Sequence, residues 1–556
     1  MPLVVLALAL AVVAGCGRAG TPPAPAPRAA AAPIRFRPQE LPFTYERGES
    51  GRALPVETTG GGVGLLDYDG DGDLDLFFAQ GAPLAGAVPP TAGPPDVLLR
   101  NDGGGRFADV SRAAGLAFRG YGQGVTVADV EGDGDPDVFV TRYGVNTLWK
   151  NEGGRFVDAT ASAGLAGEPS WSLGAAFADH DGDGDLDLYV ANYFAFDPAR
   201  APFARDPRTG AAMYGPPAEF PGLPDRLYRN DGGRFTDVTE SAGVAASGRG
   251  MGVLAADLDG DRRVDYLVAN DAEPNALWRD AGGGRFTDEA TVLGLAVNGA
   301  GQPEANMGIA RGDTDGDGVA DLVITHFYDE HDTLWRGERG PDGGLFYRDA
   351  TFEAGLGTDS RPLTGWGAAL ADFDQDGRLD LVVATGHIRP EASQKYTYEC
   401  PPILWRGEPG GRFANVTSGA GAYFAGRHLA RGLACGDLDG DLDLDVVIVH
   451  HHGPSVVLWN ETPAAGAALV LDLRGAGANR DAIGAGVTVE AGGRRIIRSI
   501  DGGGSYLSSG DRRVHVGLGD AAVAERVTVR WPSGREETRT GLAAGRVHAW
   551  EERGAR

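Results

Sequence analysis

The sequence predicts an all-β chain: a seven-bladed β-propeller with cation-binding hairpin loops, followed by a small β-domain. Three observations carry that prediction. An aspartate ladder recurs seven times, from Asp67, Asp129, Asp179, Asp257, Asp313, Asp372 and Asp437. Each ladder lies between short apolar runs, such as Val63–Leu66 before and Leu76–Ala79 after the first, or Leu188–Ala191 after the third, so each closes a hairpin. Between ladders runs a second, aromatic hairpin motif. Repeats spaced 50 to 78 residues apart are stacked or radial units, none able to bury its apolar face alone.

Aligned on those first residues, the ladders agree at four positions. Position 3 is Asp69, Glu131, Asp181, Asp259, Asp315, Asp374 and Asp439. Position 5 is Asp71, Asp133, Asp183, Asp261, Asp317, Asp376 and Asp441, and position 9 is Asp75, Asp137, Asp187, Asp265, Asp321, Asp380 and Asp445. Position 7 varies, with Asp73, Asp135, Asp185 and Asp443 against Arg263, Val319 and Arg378. Indifference to the side chain there points to a backbone carbonyl contact. Glycine at position 6 (Gly72, Gly134, Gly184, Gly318, Gly377) permits a sharp turn, and Arg262 and Leu442 replace it in two loops.

Alternate carboxylates plus a carbonyl suit Ca²⁺, which takes six to eight oxygens in a flexible shell. An EF-hand would need a glutamate at position 12, where this chain has Phe78, Val140, Val190, Val268, Ile324, Val383 and Ile448. A lone acidic Asp/Gly turn is as often a solvated turn as a metal site; the repetition favours up to seven Ca²⁺ sites, acting as staples of the fold rather than regulators. The ladders hold 32 of the chain's 78 acidic residues, and seven dications would bring the formal charge from −28 to −14. Converging carboxylates repel unless a cation is present. The acidity also argues against nucleic acid as a partner.

The second motif reads Leu148-Trp149-Lys150-Asn151-Glu152-Gly153-Gly154-Arg155-Phe156-Val157-Asp158-Ala159-Thr160 and recurs from Leu227, Leu277, Leu334 and Leu404, with Leu98-Leu99-Arg100-Asn101 as its first copy. Its Asn/Asp-Gly-Gly step is a hairpin turn between apolar-aromatic strands. Trp149, Trp278, Trp335, Trp405 and Trp459 are expected to pack between units rather than stack on a ligand. Two hairpins per period give four strands, and seven such units describe a propeller. Leu458-Trp459-Asn460 has no partner turn after it and Phe43-Thr44-Tyr45 has no partner motif before it, so these two are expected to complete one blade and leave no free sheet edge.

On these residues the ladders resemble FG-GAP/VCBS repeats, the calcium-loop blades of integrin α-subunit heads and many bacterial envelope proteins. The tail resembles the ASPIC/UnbV domain through Asn479-Arg480-Asp481-Ala482-Ile483-Gly484-Ala485, Ser505-Tyr506-Leu507-Ser508-Ser509, Val514-His515-Val516-Gly517-Leu518-Gly519 and Trp531-Pro532-Ser533-Gly534. Together, over about residues 41–553, the chain resembles the cartilage-acidic-protein family. The resemblance implies a calcium-binding propeller on the outside of cells with adhesive or scaffolding roles. Arg263, Val319 and Arg378 depart from the family's seventh-position aspartate, and weaker ion binding is expected in those loops.

Residues 1–16 read as a signal peptide: the apolar run Leu3–Val13 is too short to span a bilayer, and Val13-Ala14-Gly15-Cys16 resembles a bacterial lipobox. That implies lipidation of Cys16 and an anchor in the cell envelope, at the outer membrane or cell surface. No Lys or Arg precedes the run, as a start farther upstream would explain. Residues 17–40, Ala/Pro-rich, read as a stiff tether, 41–462 as the propeller and 463–556 as the tail. An oxidising compartment permits a disulfide between Cys400 and Cys435.

Short strands are expected in the tail at Ala468–Leu473, Gly486–Glu490, Arg495–Ile500, Val514–Gly517 and Arg526–Trp531. Arg480 and Trp531 are either a ligand site or, the favoured reading, a packing contact with the propeller. Phe194–Leu223 reads as an insertion, irregular through its prolines (Pro198, Pro202, Pro207, Pro216, Pro217), with Phe196, Phe203, Tyr214 and Phe220 exposed, and is the candidate partner-binding surface. His326, His331, His387 and His450-His451-His452 follow strand ends; the last three alternate faces and cannot readily serve one ion. No nucleophile elbow, phosphate-cradling loop or cofactor motif is present. The expected function is a non-enzymatic binding, adhesion or scaffolding module for a protein or glycan ligand. The alternative is a polysaccharide-active lyase or hydrolase on a calcium-stabilised propeller.

Overall fold

The computed structural model describes residues 33–554 except 53, 85–89, 198–203, 206–211, 214, 246, 342, 389–396 and 464–465. Cys16 and the signal peptide lie outside the described residues, as do Pro198, Pro202, Phe203, Pro207 and Tyr214 of the insertion. Among the described residues no helix is long and apolar enough to cross a membrane.

The ladder pattern fixes the unit. In every repeat, position 1 directly follows one strand and position 9 opens the next, as in Val63–Leu66 and Asp75–Phe78, or Ala430–Gly436 and Asp445–His450. The aromatic motif supplies the third and fourth strands, as in Thr147–Asn151 and Phe156–Asp158 of blade 2. All pairings within these units are antiparallel. The first strands of the seven units, Val63–Leu66, Tyr121–Ala128, Ser170–Ala178, Gly250–Ala256, Ile309–Gly312, Gly365–Ala371 and Ala430–Gly436, pack one against the next in a closed ring. They are almost wholly buried, as the walls of a propeller axis must be. The five tryptophans read as packing residues are all buried.

Ring closure differs from the sequence reading. The fourth strand of blade 7 is Phe36–Glu40, inside the stretch read as tether, and it pairs antiparallel with Val456–Asn460. Phe43 and Tyr45 instead pack inward, Phe43 stacked on Phe78 at 4.2 Å and Tyr45 on His451 at 4.9 Å. Strand propensity in the run Phe36-Arg37-Pro38-Gln39-Glu40 is modest, and pairing at a sheet edge, where a proline is tolerated, decides it.

The tail forms two sheets. One has the order Val514–Gly517, Ala468–Arg474, Arg546–Glu551, the last pairing parallel. The other runs Arg494–Ser499, Gly486–Ala491, Val523–Arg530, Glu536–Ala543. Glu536–Ala543 went unread in the sequence because it has polar residues on both faces and offers no alternation; Arg546–Glu551, also unread, alternates only through His548 and Trp550. Trp531 is 1% exposed and meets Trp550 edge-on at 6.4 Å, so it is core packing.

Between the tail strands, residues 502–511 enter the propeller axis. Gly503 pairs with Leu254, Ser505 exchanges both backbone hydrogen bonds with Ile309, and Leu507 accepts from Val125 N–H. Ser509 bonds Val63 and Leu65, and Asp511 N–H donates to Cys435 O. Tyr506 is fully buried against Trp366. A run of glycines and serines, with no apolar period, thus satisfies inner-strand backbone groups that the ring leaves unpaired.

Cys400 and Cys435 are both free; Cys435 lies on the inner strand of blade 7 and Cys400 in the loop bridged to His428. The insertion's described aromatics face inward: Phe194 stacks on Phe220 at 4.7 Å, and Phe196 packs on Trp171 at 5.7 Å. Blade 3's own aromatic residues, Trp171 and Tyr193, give them an apolar wall, so the surface expected to expose Phe196 and Phe220 does not.

Candidate metal centres and the tail interface

Each ladder is wired alike. The position 1 carboxylate accepts backbone N–H groups from inside its loop, Gly70, Asp71 and Gly72 for Asp67, and Gly440 and Leu442 for Asp437. Position 5 accepts the N–H of position 7, as Asp133 does from Asp135 and Asp376 from Arg378. The backbone at position 7 is therefore engaged through its N–H, which accounts for the free choice of side chain. At position 6 the chain is left-handed whatever the residue: Gly72 has φ 95°, and Arg262 and Leu442 have 76° and 77°.

Position 9 ties the loop to its blade. In all seven repeats one oxygen accepts the N–H of position 2 and the other the N–H of a third-strand residue, as Asp75 does from Tyr68 and Asn101. These carboxylates are 0–1% exposed. Burial, with neighbouring ladder carboxylates adding, pushes Asp75, Asp137 and Asp445 up to about 8 and Asp265 up to about 7. Such a set is short of positive charge.

The carboxylate oxygens converge. Those of Asp67, Asp69 and Asp71, of Asp179, Asp181 and Asp187, of Asp257, Asp259 and Asp265, of Asp313, Asp315 and Asp317, and of Asp372, Asp374 and Asp380 each lie within 4.8 Å of one another and could hold a metal ion. Position 7 points elsewhere in two loops: Asp135 and Asp185 accept from Gly153 and Gly232 in the hairpin turns of their own blades. In blade 7, Asp443 Oδ1 is buried without a partner among the described residues, and burial pushes Asp443 up to about 9. An all-oxygen set with an orphaned, buried carboxylate atom fits a hard divalent cation.

Two features escaped the sequence. The motif asparagines of blades 1, 2, 3 and 7 reach back across the ring: Asn101, Asn151, Asn230 and Asn460 donate from Nδ2 to the position 2 carbonyls of Leu438, Tyr68, Val130 and Phe373 in the preceding blade's ladder, at 2.8–2.9 Å. Blades 4, 5 and 6 carry Asp280, Gly337 and Gly407 at that place. The basic residue of the motif engages position 3 where it can, in Lys150–Glu131, Arg279–Asp259, Arg336–Asp315 and Arg406–Asp374 pairs. Arg263 and Arg378 in addition pair with Asp261 and Asp376. The fixed interval between motif and ladder was the available signal for both.

The tail covers the ladder face. Asp481 accepts Asp129 N–H at 2.7 Å, Arg494 donates to Asp376 O at 2.7 Å, Arg513 to Asp437 O at 3.0 Å, and Gly519 N–H to Gln375 O at 3.0 Å. Asn479 folds its motif by bonding Ile483 twice, and Arg480 lines a cleft of about 570 Å³ between ladders 1 and 2 and the tail. At the opposite ends of the strands the histidines separate. His450 meets Tyr423 Oη at 2.8 Å, His451 Nε2 lies 3.2 Å from Gly60 O, and the exposed His452 pairs with Glu399. They do not converge.

A ring of four-stranded units with acidic ladders on one face and a β-domain seated over them defines a repeat-built propeller protein. The chain belongs to the FG-GAP-like repeat family, matching it at residues 67–140, 129–190, 221–268, 257–324 and 313–383, and carries an ASPIC and UnbV domain at 475–556. It is similar to cartilage acidic protein 1 of Mus musculus, 26% identical over 533 residues, 86% of this chain and 71% of that one. To the Homo sapiens protein of that name it is 25% identical over 338 residues, 56% of this chain but 45% of the relative, so it spans less than half the human protein's length. Among solved structures, an Agrocybe aegerita lectin that recognises non-reducing terminal N-acetylglucosamine aligns with TM-score 0.38 and 16% identity over 71% of this chain and 87% of the lectin. BBS1N in complex with ARL6DN aligns with TM-score 0.41 and 9% identity over 78% and 99%. At those scores neither bears on function here.

Proposed function

We propose that the chain is a Ca²⁺-binding, non-enzymatic binding or scaffolding protein, held in the cell envelope by a lipid on Cys16, whose ions rigidify the ladder face and thereby seat the tail. The observation that carries this is the convergence of position 1 and 3 carboxylates with that of position 5 or position 9, on the face that the tail's arginines clasp through loop carbonyls. Asp67, Asp69, Asp71 and Asp75, and their equivalents, would hold the ion; it would supply the positive charge that the loop carboxylates and the buried position 9 acid lack. The filled axis favours a binding role over the alternative of a polysaccharide-active enzyme, since residues 502–511 occupy the axial position. The proposed ligand is a protein or a glycan.

Calcium titration of chelated protein, read by calorimetry, is expected to give several sites per chain, and their absence would overturn the reading. Incubation with a glycan panel is expected to retain ligands intact; new reducing or unsaturated ends would establish the enzyme instead.

A further inference from the structure

A second cleft, of about 410 Å³, lies between the ladders of blades 4 and 5 and the tail's four-stranded sheet. Four arginines line it: Arg311 and Arg339 from the propeller, Arg498 and Arg530 from the tail. Four acids, Asp257, Asp313, Asp501 and Glu536, share the lining, and Asp372 and Asp313 lend counter-charge to Arg498, so unused donors rather than net charge set this cleft apart. Asp257 and Asp313 are turned into their own loops, each accepting two backbone N–H groups. Asp501 is taken by Arg311 at 3.0 Å.

The guanidinium groups are incompletely used. Arg498 donates from Nη1 to Ile497 O at 2.8 Å, while its Nη2 is buried with no partner among the described residues. Arg311 uses both terminal nitrogens, on Ser499, Asp501 and Asp257 O, yet its Nε is likewise buried and unpartnered. Arg530 comes no closer to an acid than 3.7 Å, from Asp257. A buried charged donor left without an acceptor is costly, and guanidinium forks match oxyanions better than any other common group. A cavity of this size at a domain junction is also where small ligands are held.

We propose that this cleft is an anion site that takes one oxyanion group, a carboxylate, sulfate or phosphate, of a small ligand, read jointly by propeller and tail. The site goes beyond the calcium reading and uses none of its ladders as ligands to the anion. A bound oxyanion would accept from Arg498 and Arg530 on the tail side and from Arg311 on the propeller side. It would thereby hold the two parts together.

Sulfate, inorganic phosphate and glucuronate are the probes, titrated calorimetrically into the full chain at constant ionic strength. Saturable binding with Kd of about 1 mM or tighter is expected for at least one. Arg498→Met and the more exposed Arg530→Gln are each expected to weaken it about tenfold or more. Arg526→Gln, on the same sheet but paired with Glu490 outside the cleft, is expected to leave it unchanged. A folded Arg530→Gln protein keeps the test valid should Arg498→Met fail to fold. Binding of inorganic anions identifies free anions as the source, and binding of glucuronate alone identifies an organic acid; both support the site. No saturable binding by any probe, or equal loss in Arg526→Gln, overturns it.

Discussion

The ring divides into two arcs that solve one electrostatic problem differently. Blades 7, 1, 2 and 3 carry aspartate at position 7 and an asparagine that staples each blade to its neighbour's ladder. Blades 4, 5 and 6 lack both, and instead press Arg279, Arg336 and Arg406 onto position 3, with Arg263 and Arg378 on position 5. The first arc concentrates negative charge and, on the proposed reading, leaves its neutralisation to a bound cation. The second supplies part of its own counter-charge, and an arginine already seated on a ladder carboxylate competes with a metal for it. Ladder 2 stands between the two, since Lys150 pairs with Glu131.

The largest expected effect tests the arcs directly. Ladders filled at about a thousandfold over Kd add about 4 kcal/mol each, so a chelator is expected to lower the melting temperature by roughly 10 °C or more. Asp71→Asn, Asp183→Asn and Asp441→Asn combined should remove most of the calcium-dependent share of that stability, and Asp261→Asn, Asp317→Asn and Asp376→Asn much less. Equal losses from the two sets, read by thermal melts with and without chelator, would break the comparison.

Next in size is a pH effect. Without metal, Asp75, Asp137 and Asp445 have folded pKa values near 8, far above their ordinary range. Between about pH 4 and 8 the unfolded chain has already lost protons that the folded chain keeps, so stability must fall as pH rises through that window. Denaturant midpoints in chelator should show that decline, and saturating calcium should abolish it. A chelated protein that grows more stable from pH 5 to 8 would contradict the burial of uncompensated carboxylates.

Smaller effects sharpen the contrast. Asn230→Ala leaves the Val130 carbonyl without its donor and is expected to cost about 1–3 kcal/mol by urea unfolding, whereas Gly407→Ala, whose added Cβ would meet Leu379 O, tests packing rather than stapling. Smallest is relief of left-handed backbone. Leu442→Gly in one arc and Arg262→Gly in the other should each stabilise by about 1 kcal/mol, similarly, since both hold φ near 77°. A destabilised Leu442→Gly would mean that its side chain does more than tolerate the turn.

Much of this was legible in the residues. Four acidic positions repeated seven times identify the hairpins, and the aromatic motif supplies the remaining strands. Arg263 and Arg378 were visible as departures, though not that they neutralise Asp261 and Asp376, because a pairing partner is a matter of distance. Phe36–Glu40 was lost to its neighbours' composition, which resembles a tether. Residues 502–511 were illegible for a deeper reason: what they contribute is backbone hydrogen bonding, and glycine and serine advertise no burial.

That last segment, with the strand at the other end of the chain, sets the order in which the molecule can be finished. Arg35 bonds Thr462 across 427 residues, and Ser509 bonds Val63 across more. Contacts so distant along the chain close slowly, and until they do, a nascent polypeptide presents an open blade edge and an axis lined with unpaired amides. No amount of local stability in the early blades can hasten a closure that waits for Val456–Asn460 and residues 502–511.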